Sequence, residues 1–144
     1  MEFPRFATDR ARMSLTERDM LRLQGVDADL VRVVKHAAGL IPLTVIEGVR
    51  TRERQADLYA IGRTKPGKPV TWTLNSKHCD GLAVDLAPIP LDWSNRAAFL
   101  ALHGAMSLGA QRVGIILRYG GDWDGDGVLG ERGETDLVHW EIVK

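Results

Sequence analysis

His78 and Asp85 stand seven positions apart in SKHCDGLAVD, with Gly81 between them. On one continuous strand an odd separation sends two side chains to opposite faces, so this pair can share a face only if the backbone reverses or bulges on the way. Gly81 is the residue type that tolerates such a break, and the alternating LAVDL after it reads as a strand. Leu82, Val84 and Leu86 would bury one face of that strand, and the small Ala83 leaves room beside Asp85 on the other. Taken alone, the segment leaves two readings open: a pair of metal ligands presented by a turn, or a capped turn with a buried aspartate.

The rest of the chain alternates helix and strand signals. SLTERDMLRLQG reads as a short helix entered through Ser14, with Glu17 completing a capping box. In DADLVRVVKHAAGL, Asp27 is the expected cap, Leu30, Val33, Val34 and Ala37 form an apolar stripe, and Gly39 is the stop. LTVIEGVR (Leu43 to Arg50) has strand character, and TRERQADLYAIG that of a helix ending at Gly62. Gly62 to Lys77, rich in Gly, Pro and Lys, reads as a surface loop. Ser94 is the expected cap of NRAAFLALHGAMSLG, in which Ala98, Leu102 and Met106 recur at helical spacing. RVGIIL (Arg112 to Leu117) and LVHWEIV (Leu137 to Val143) read as further strands. The pattern predicts a small α+β fold, one domain over residues 1–144, with a central, mainly antiparallel sheet flanked by helices.

Composition narrows the function classes. Nineteen basic residues balance nineteen acidic ones, which gives no electrostatic reason to expect nucleic acid or an anionic membrane as partner. The single cysteine, Cys79, forms no intramolecular disulfide, so packing alone must hold the fold. The start, MEFPRFATDR, lacks the apolar region of a signal peptide, and no run approaches the roughly 18 apolar residues of a membrane span. The expectation is a chain made and first held in the cytoplasm, working as a monomer without stable membrane binding.

Four histidines are available as ligands: His36, His78, His103 and His139. His36 and His103 lie in helical segments with no acidic or histidine partner one turn away, which favours an ordinary structural role. His139 is different, because it sits in ETDLVHWEIVK with Asp136 three residues before it. Zinc in a hydrolase commonly takes three protein ligands drawn from His, Asp and Glu and keeps one position open. His78, Asp85 and His139 provide that set, and Asp136 is placed to serve as a general base. Trp140 would fall on the face opposite His139 and Glu141 on the same one, which makes Trp140 core and Glu141 a partner for a ligand. Cys79 reads as a bystander thiol.

SKHCDGLAVD and DLVH followed by WE resemble the SxHxxGxAxD and (D/E)xxH(W/F) elements of zinc peptidases of the D-Ala-D-Ala carboxypeptidase (VanY/Hedgehog-like) family, which includes phage endolysins. VIEGVRTRERQADLYAIGRTKPGKPVTWTLNSKH is similar to the segment before the first ligand in those endolysins. YGGDWDGDG resembles their WGGDW segment before the last ligand, so the likeness spans nearly the whole chain. The resemblance implies a Hedgehog/D-Ala-D-Ala peptidase-like fold, zinc on His78, Asp85 and His139, and proton transfer by Asp136. It further implies that Arg50 faces the substrate carbonyl and that Ser76 bonds the substrate backbone, although a cap role suits Ser76 equally. The implied substrate is bacterial peptidoglycan, cleaved at the L-Ala-D-Glu bond of its stem peptides during host lysis, with holin-type permeabilisation giving access to the wall. A D-Ala-D-Ala carboxypeptidase or dipeptidase, and a non-catalytic zinc-containing wall-binding module, are the competing expectations. Gln55 also stands in a familiar position without an assigned role.

DWDGDG places Asp122, Asp124 and Asp126 at the first, third and fifth positions of an EF-hand-like calcium loop, with Gly127 at the sixth. The bidentate glutamate expected at the last position is replaced by Gly133, with Glu131 and Glu134 near it. The segment is therefore either a calcium loop with altered spacing or a solvated acidic turn.

Overall fold

A computed structural model describes residues 15–71, 73–127, 129 and 136–143. Among them the chain forms α1 (Glu17–Arg22), α2 (Ala28–Ala38), β1 (Leu43–Glu47), α3 (Arg52–Ala60), a 3-10 turn (Lys77–Asp80), β2 (Ala83–Pro88), α4 (Arg96–Val113), β3 (Leu117–Tyr119) and β4 (His139–Ile142). The four strands make one sheet in the order β1-β2-β4-β3, and every neighbouring pair is antiparallel. The α+β reading with a central antiparallel sheet is borne out.

One sheet face is the core. Val45, Val84, Leu86 and Trp140 are fully enclosed there, covered by the stripe of α2 (Leu30, Val33, Val34, Ala37) and by Leu102 and Met106 of α4. The expected cap Asp27 is observed, accepting from the amides of Asp29 and Leu30, and Gly39 ends α2. Beneath Trp140 a stack of rings continues through Tyr119 to His103, whose Nδ1 accepts from the Trp140 indole N–H at 3.1 Å. His103 is thus a structural residue, as expected.

Several boundaries differ from the sequence reading; β1 ends at Glu47 rather than running on to Arg50, and α3 ends at Ala60 rather than Gly62. The first helix is capped by Thr16, which exchanges hydrogen bonds with Asp19 in a capping box; Ser14 lies outside the described residues. Asn95, not Ser94, caps α4, because Ser94 is turned back onto the Asp92 carboxylate. The expected strand from Arg112 begins instead at Leu117: α4 runs on through Gly109, which packs against Val33 of α2, and stops only where Gly114 takes a left-handed φ of 88°. β4 is also shorter than the expected Leu137–Val143 segment, since paired backbone starts at His139. Leu82, expected in the buried face of β2, precedes the strand and is half-buried.

Candidate active site

The other sheet face carries the polar residues in a row. Register pairs Glu47 of β1 with Asp85 of β2, and Asp85 with His139 of β4, so three adjacent strands present three ionisable side chains side by side. Asp85 and His139 meet because they are cross-strand partners, where Cβ atoms lie about 5 Å apart; His139 Nδ1 stands 3.3 Å from Asp85 Oδ1.

His78 reaches the same point by the reversal that its spacing from Asp85 demanded. Ser76 caps the 3-10 turn by accepting from the His78 amide, and Gly81 ends it in the left-handed region at φ 72°. A side chain at Gly81 would place its Cβ 2.6 Å from the Gly25 carbonyl, so both conformation and space require glycine. The turn is then tied to the segment after β1, with the Arg50 amide donating to the His78 carbonyl at 3.0 Å. His78 Nε2 lands 3.0 Å from Asp85 Oδ1, and its ring sits edge-on to that of His139 with centroids 5.1 Å apart.

This donor set suits a metal ion. One ligand atom from each of His78, Asp85 and His139 falls within a 4.8 Å cluster. His78 Nδ1 donates to the Gly48 carbonyl at 2.8 Å, which leaves Nε2 as the bare nitrogen facing Asp85. Glu141 binds His139 Nε2 at 2.9 Å, which leaves Nδ1 toward the same point. Carboxylate and carbonyl partners of this kind fix the ring of a metal-ligating histidine. The expected roles of Trp140 as core and Glu141 as partner are both found.

Charges in the site are strongly coupled. Burial acts to raise the Asp85 carboxyl, but hydrogen bonds with His139 and His78 outweigh it and hold the group well below the usual carboxylate range. Burial opposes protonation of His139, and its bonds with Asp85 and Glu141 prevail, raising it to about 9. Asp136 moves up, first through burial in the cleft wall and then through the Asp85 charge, against the pull of His139, His78 and Arg50. Its position depends on a close approach: a Cβ on Gly120 would lie 2.4 Å from the Asp136 carbonyl.

A cleft of about 740 Å³ runs over the site, lined among others by Arg50, Ser76, Asp136 and Trp123. It brings together every residue expected in the zinc peptidase reading. Arg50 is more constrained than the sequence suggested: its Nε donates to Glu47 at 2.7 Å and its Nη1 to the Gln55 side-chain oxygen at 2.7 Å. Gln55 is fully buried and passes the linkage on, donating to the Thr73 carbonyl at 2.6 Å. Glu47 was not singled out from sequence and Gln55 carried no role there; simple alternation would place Glu47 with the buried Leu43 and Val45, and only the register shift between Val45 and Glu47 sets it opposite Asp85. Trp123 was overlooked too, and its ring centroid is 5.7 Å from that of His139.

The acidic segment stands apart from this centre. Asp122, Asp124 and Asp126 bring an oxygen each within 4.8 Å of one another. Asp122 is buried and accepts from the amides of Asp126 and Gly127. The expected last calcium position, Gly133, and its neighbours Glu131 and Glu134 lie outside the described residues.

The sequence profile described as phage L-alanyl-D-glutamate peptidase matches residues 12–143. The chain belongs to that family. It is 33% identical over 130 residues to the L-alanyl-D-glutamate peptidase of Escherichia phage T5, covering 85% of this chain and 92% of the relative. Its structure is similar to the Serratia marcescens L-Ala D-Glu endopeptidase ChiX, with a TM-score of 0.73, 28% identity and 92% of each chain covered. A more distant likeness, in fold, is to the vancomycin resistance D,D-pentapeptidase VanY of the VanB-type cassette, with a TM-score of 0.50, 20% identity and coverage of 83% of this chain and 73% of the other.

Proposed function

We propose that the cleft hydrolyses the L-Ala-D-Glu bond of peptidoglycan stem peptides, as an endolysin in host lysis, with a zinc ion held by His78, Asp85 and His139. The observation that carries this reading is the convergence of two oriented imidazoles and one carboxylate in the cleft of a chain from this peptidase family. Two nitrogens and one carboxylate oxygen match the ligand preference of a catalytic zinc, which keeps a position open. When bound, the ion supplies an electrophile that polarises the scissile carbonyl and makes water at the site more acidic.

The chain's own groups do the rest. The Asp136 carboxylate takes the proton of the attacking water and returns it to the amine leaving with D-Glu, and its raised pKa makes it the stronger base for the first of these transfers. Arg50, clamped by Glu47 and Gln55, keeps a fixed guanidinium beside Asp85 and faces the carbonyl oxygen as negative charge develops there. Ser76 serves both as the cap of the 3-10 turn and as a donor to the substrate backbone.

Digestion of purified peptidoglycan followed by mass spectrometry decides among the alternatives. New N-terminal D-Glu is the expected product; free D-Ala would point to a carboxypeptidase, and no product despite bound zinc to a wall-binding module. Asp136→Ala should retain zinc and lose turnover by at least about a hundredfold, the usual scale for removing a general base. Full activity in that variant would overturn the assignment. Action as a monomer, residence in the host cytoplasm before release and access to the wall through a holin-type lesion complete the proposal. Light scattering checks the first, and lysis dependent on co-expressed holin checks the other two. A calcium ion on Asp122, Asp124 and Asp126 is a separate reading, favoured by their convergence; calorimetric titration of the zinc-loaded protein with calcium tests it, and absence of binding at millimolar calcium removes it.

A further inference from the structure

The cleft is rich in acid. Glu47, Asp85, Asp136 and Glu141 all line it, against three cations: Arg50, Arg54 and Lys77. Arg50 is already engaged by Glu47 and Gln55. The side chains of Lys77 and Arg54 have no hydrogen bond or ion pair among the described residues. The two differ in placement. Arg54 is exposed in the first turn of α3. Lys77 is half-buried in the 3-10 turn, directly between Ser76 and the ligand His78, and its charge is felt by Glu141 behind His139.

The chemistry of the substrate gives such a cation a purpose. In a stem peptide, D-Glu is joined onward through its γ-carboxyl, so its α-carboxyl stays free on the carbon attached to the scissile nitrogen. Hydrolysis at L-Ala-D-Glu therefore brings an anion next to the reacting bond, into a wall that already carries four carboxylates. An anion there needs an unengaged cation within reach of the metal ligands, because like charges at close quarters oppose binding.

We propose that Lys77 receives the free α-carboxylate of the D-Glu residue, and that the enzyme thereby discriminates against stem peptides in which this group is amidated to D-isoglutamine. The inference rests on the L-Ala-D-Glu reading given above. Lys77 acts as a specificity residue, since the carboxamide offers no charge to pair with its ammonium and the hydrolytic groups are the same for both substrates.

Two N-acylated synthetic stem peptides, identical except for D-Glu or D-isoglutamine, test this with zinc-loaded protein. The wild type should favour the D-Glu peptide by roughly ten- to a hundredfold in kcat/KM, the scale of one charge-assisted contact. Lys77→Gln should bring the ratio close to one, mainly by slowing the D-Glu peptide, with turnover of the amidated peptide serving as the check on folding. Lys77→Arg, which keeps the charge, should keep the preference, and so should Arg54→Gln. Equal cleavage of the two peptides by the wild type, or an unchanged ratio in Lys77→Gln, would overturn the proposal while leaving the bond assignment intact. Cleavage of neither peptide by the wild type would overturn both.

Discussion

The amide of Gln55 is enclosed on a helix whose neighbouring positions are exposed or half-buried, and it uses both ends at once: its oxygen accepts from Arg50 and its nitrogen donates to Thr73 and Thr71. Those contacts join the residue proposed to face the carbonyl to the loop that forms the cleft wall. Gln55→Leu should leave the fold in place and lower kcat/KM roughly ten- to a hundredfold, because the Arg50 guanidinium and the Thr73 carbonyl each lose their partner. Gln55→Glu still accepts from Arg50 but no longer donates to Thr73, so its loss should appear chiefly in KM. Steady-state kinetics of the two variants checks the split; equal losses in both parameters would make Gln55 merely structural. At this scale the proposed ligands and their partner were legible because motif residues stand close in sequence to the features that aim them: Gly81 for His78, strand alternation for Glu141. Gln55 and Glu47 were not, since their meaning lies in partners that only the folded chain brings near.

At the scale of elements, α1 is attached to the sheet through one carboxylate. Asp19 is 1% exposed, and its Oδ1 accepts from the Val45 amide at 2.9 Å and the Thr44 hydroxyl at 3.1 Å, while Oδ2 caps α1 through the Thr16 amide. Arg22 adds a bond to the Val45 carbonyl at 2.8 Å. Asp19→Ala should cost about 2–4 kcal/mol, combining a lost cap with orphaned buried donors. Burial acts to raise the Asp19 carboxyl, yet the hydrogen bonds from Thr16, Val45 and Thr44 outweigh it and lower it below its ordinary value. A depressed folded-state pKa means stability that is present above the unfolded value near 3.8 and lost as pH falls through the folded one. Denaturant unfolding at pH 7 and at pH 3 checks this, with the gap between wild type and variant narrowing at the lower pH. Helix α2 was legible from its stripe and caps, whereas the Asp19 anchor and the late stop of α4 were not. Both depend on tertiary neighbours, the edge of β1 in one case and Val33 beneath Gly109 in the other, which local propensity does not encode.

Across the whole molecule, the proposed metal site is also a proton store. Without a cation, His139 lies between Asp85 and Glu141 and is protonated up to about 9. A histidine whose folded pKa is raised stabilises the fold fully below its unfolded value of about 6.5, and that stabilisation disappears as pH rises through about 9. A metal ion requires the neutral ring, so binding must expel this proton. Zinc affinity should therefore climb with pH between about 6.5 and 9, and calorimetry at pH 7.5 in buffers of different ionisation enthalpy should register proton release. Stability follows the same linkage, with the metal-free protein losing the His139 contribution in that window while the zinc-loaded protein does not. The rise in Tm on adding zinc should thus be larger at pH 8.5 than at pH 6.5, where the proton already occupies part of the role of the ion. A Tm shift independent of pH, with no proton released, would mean that His139 is neutral before the metal arrives and that the carboxylates flanking it orient the ring without charging it.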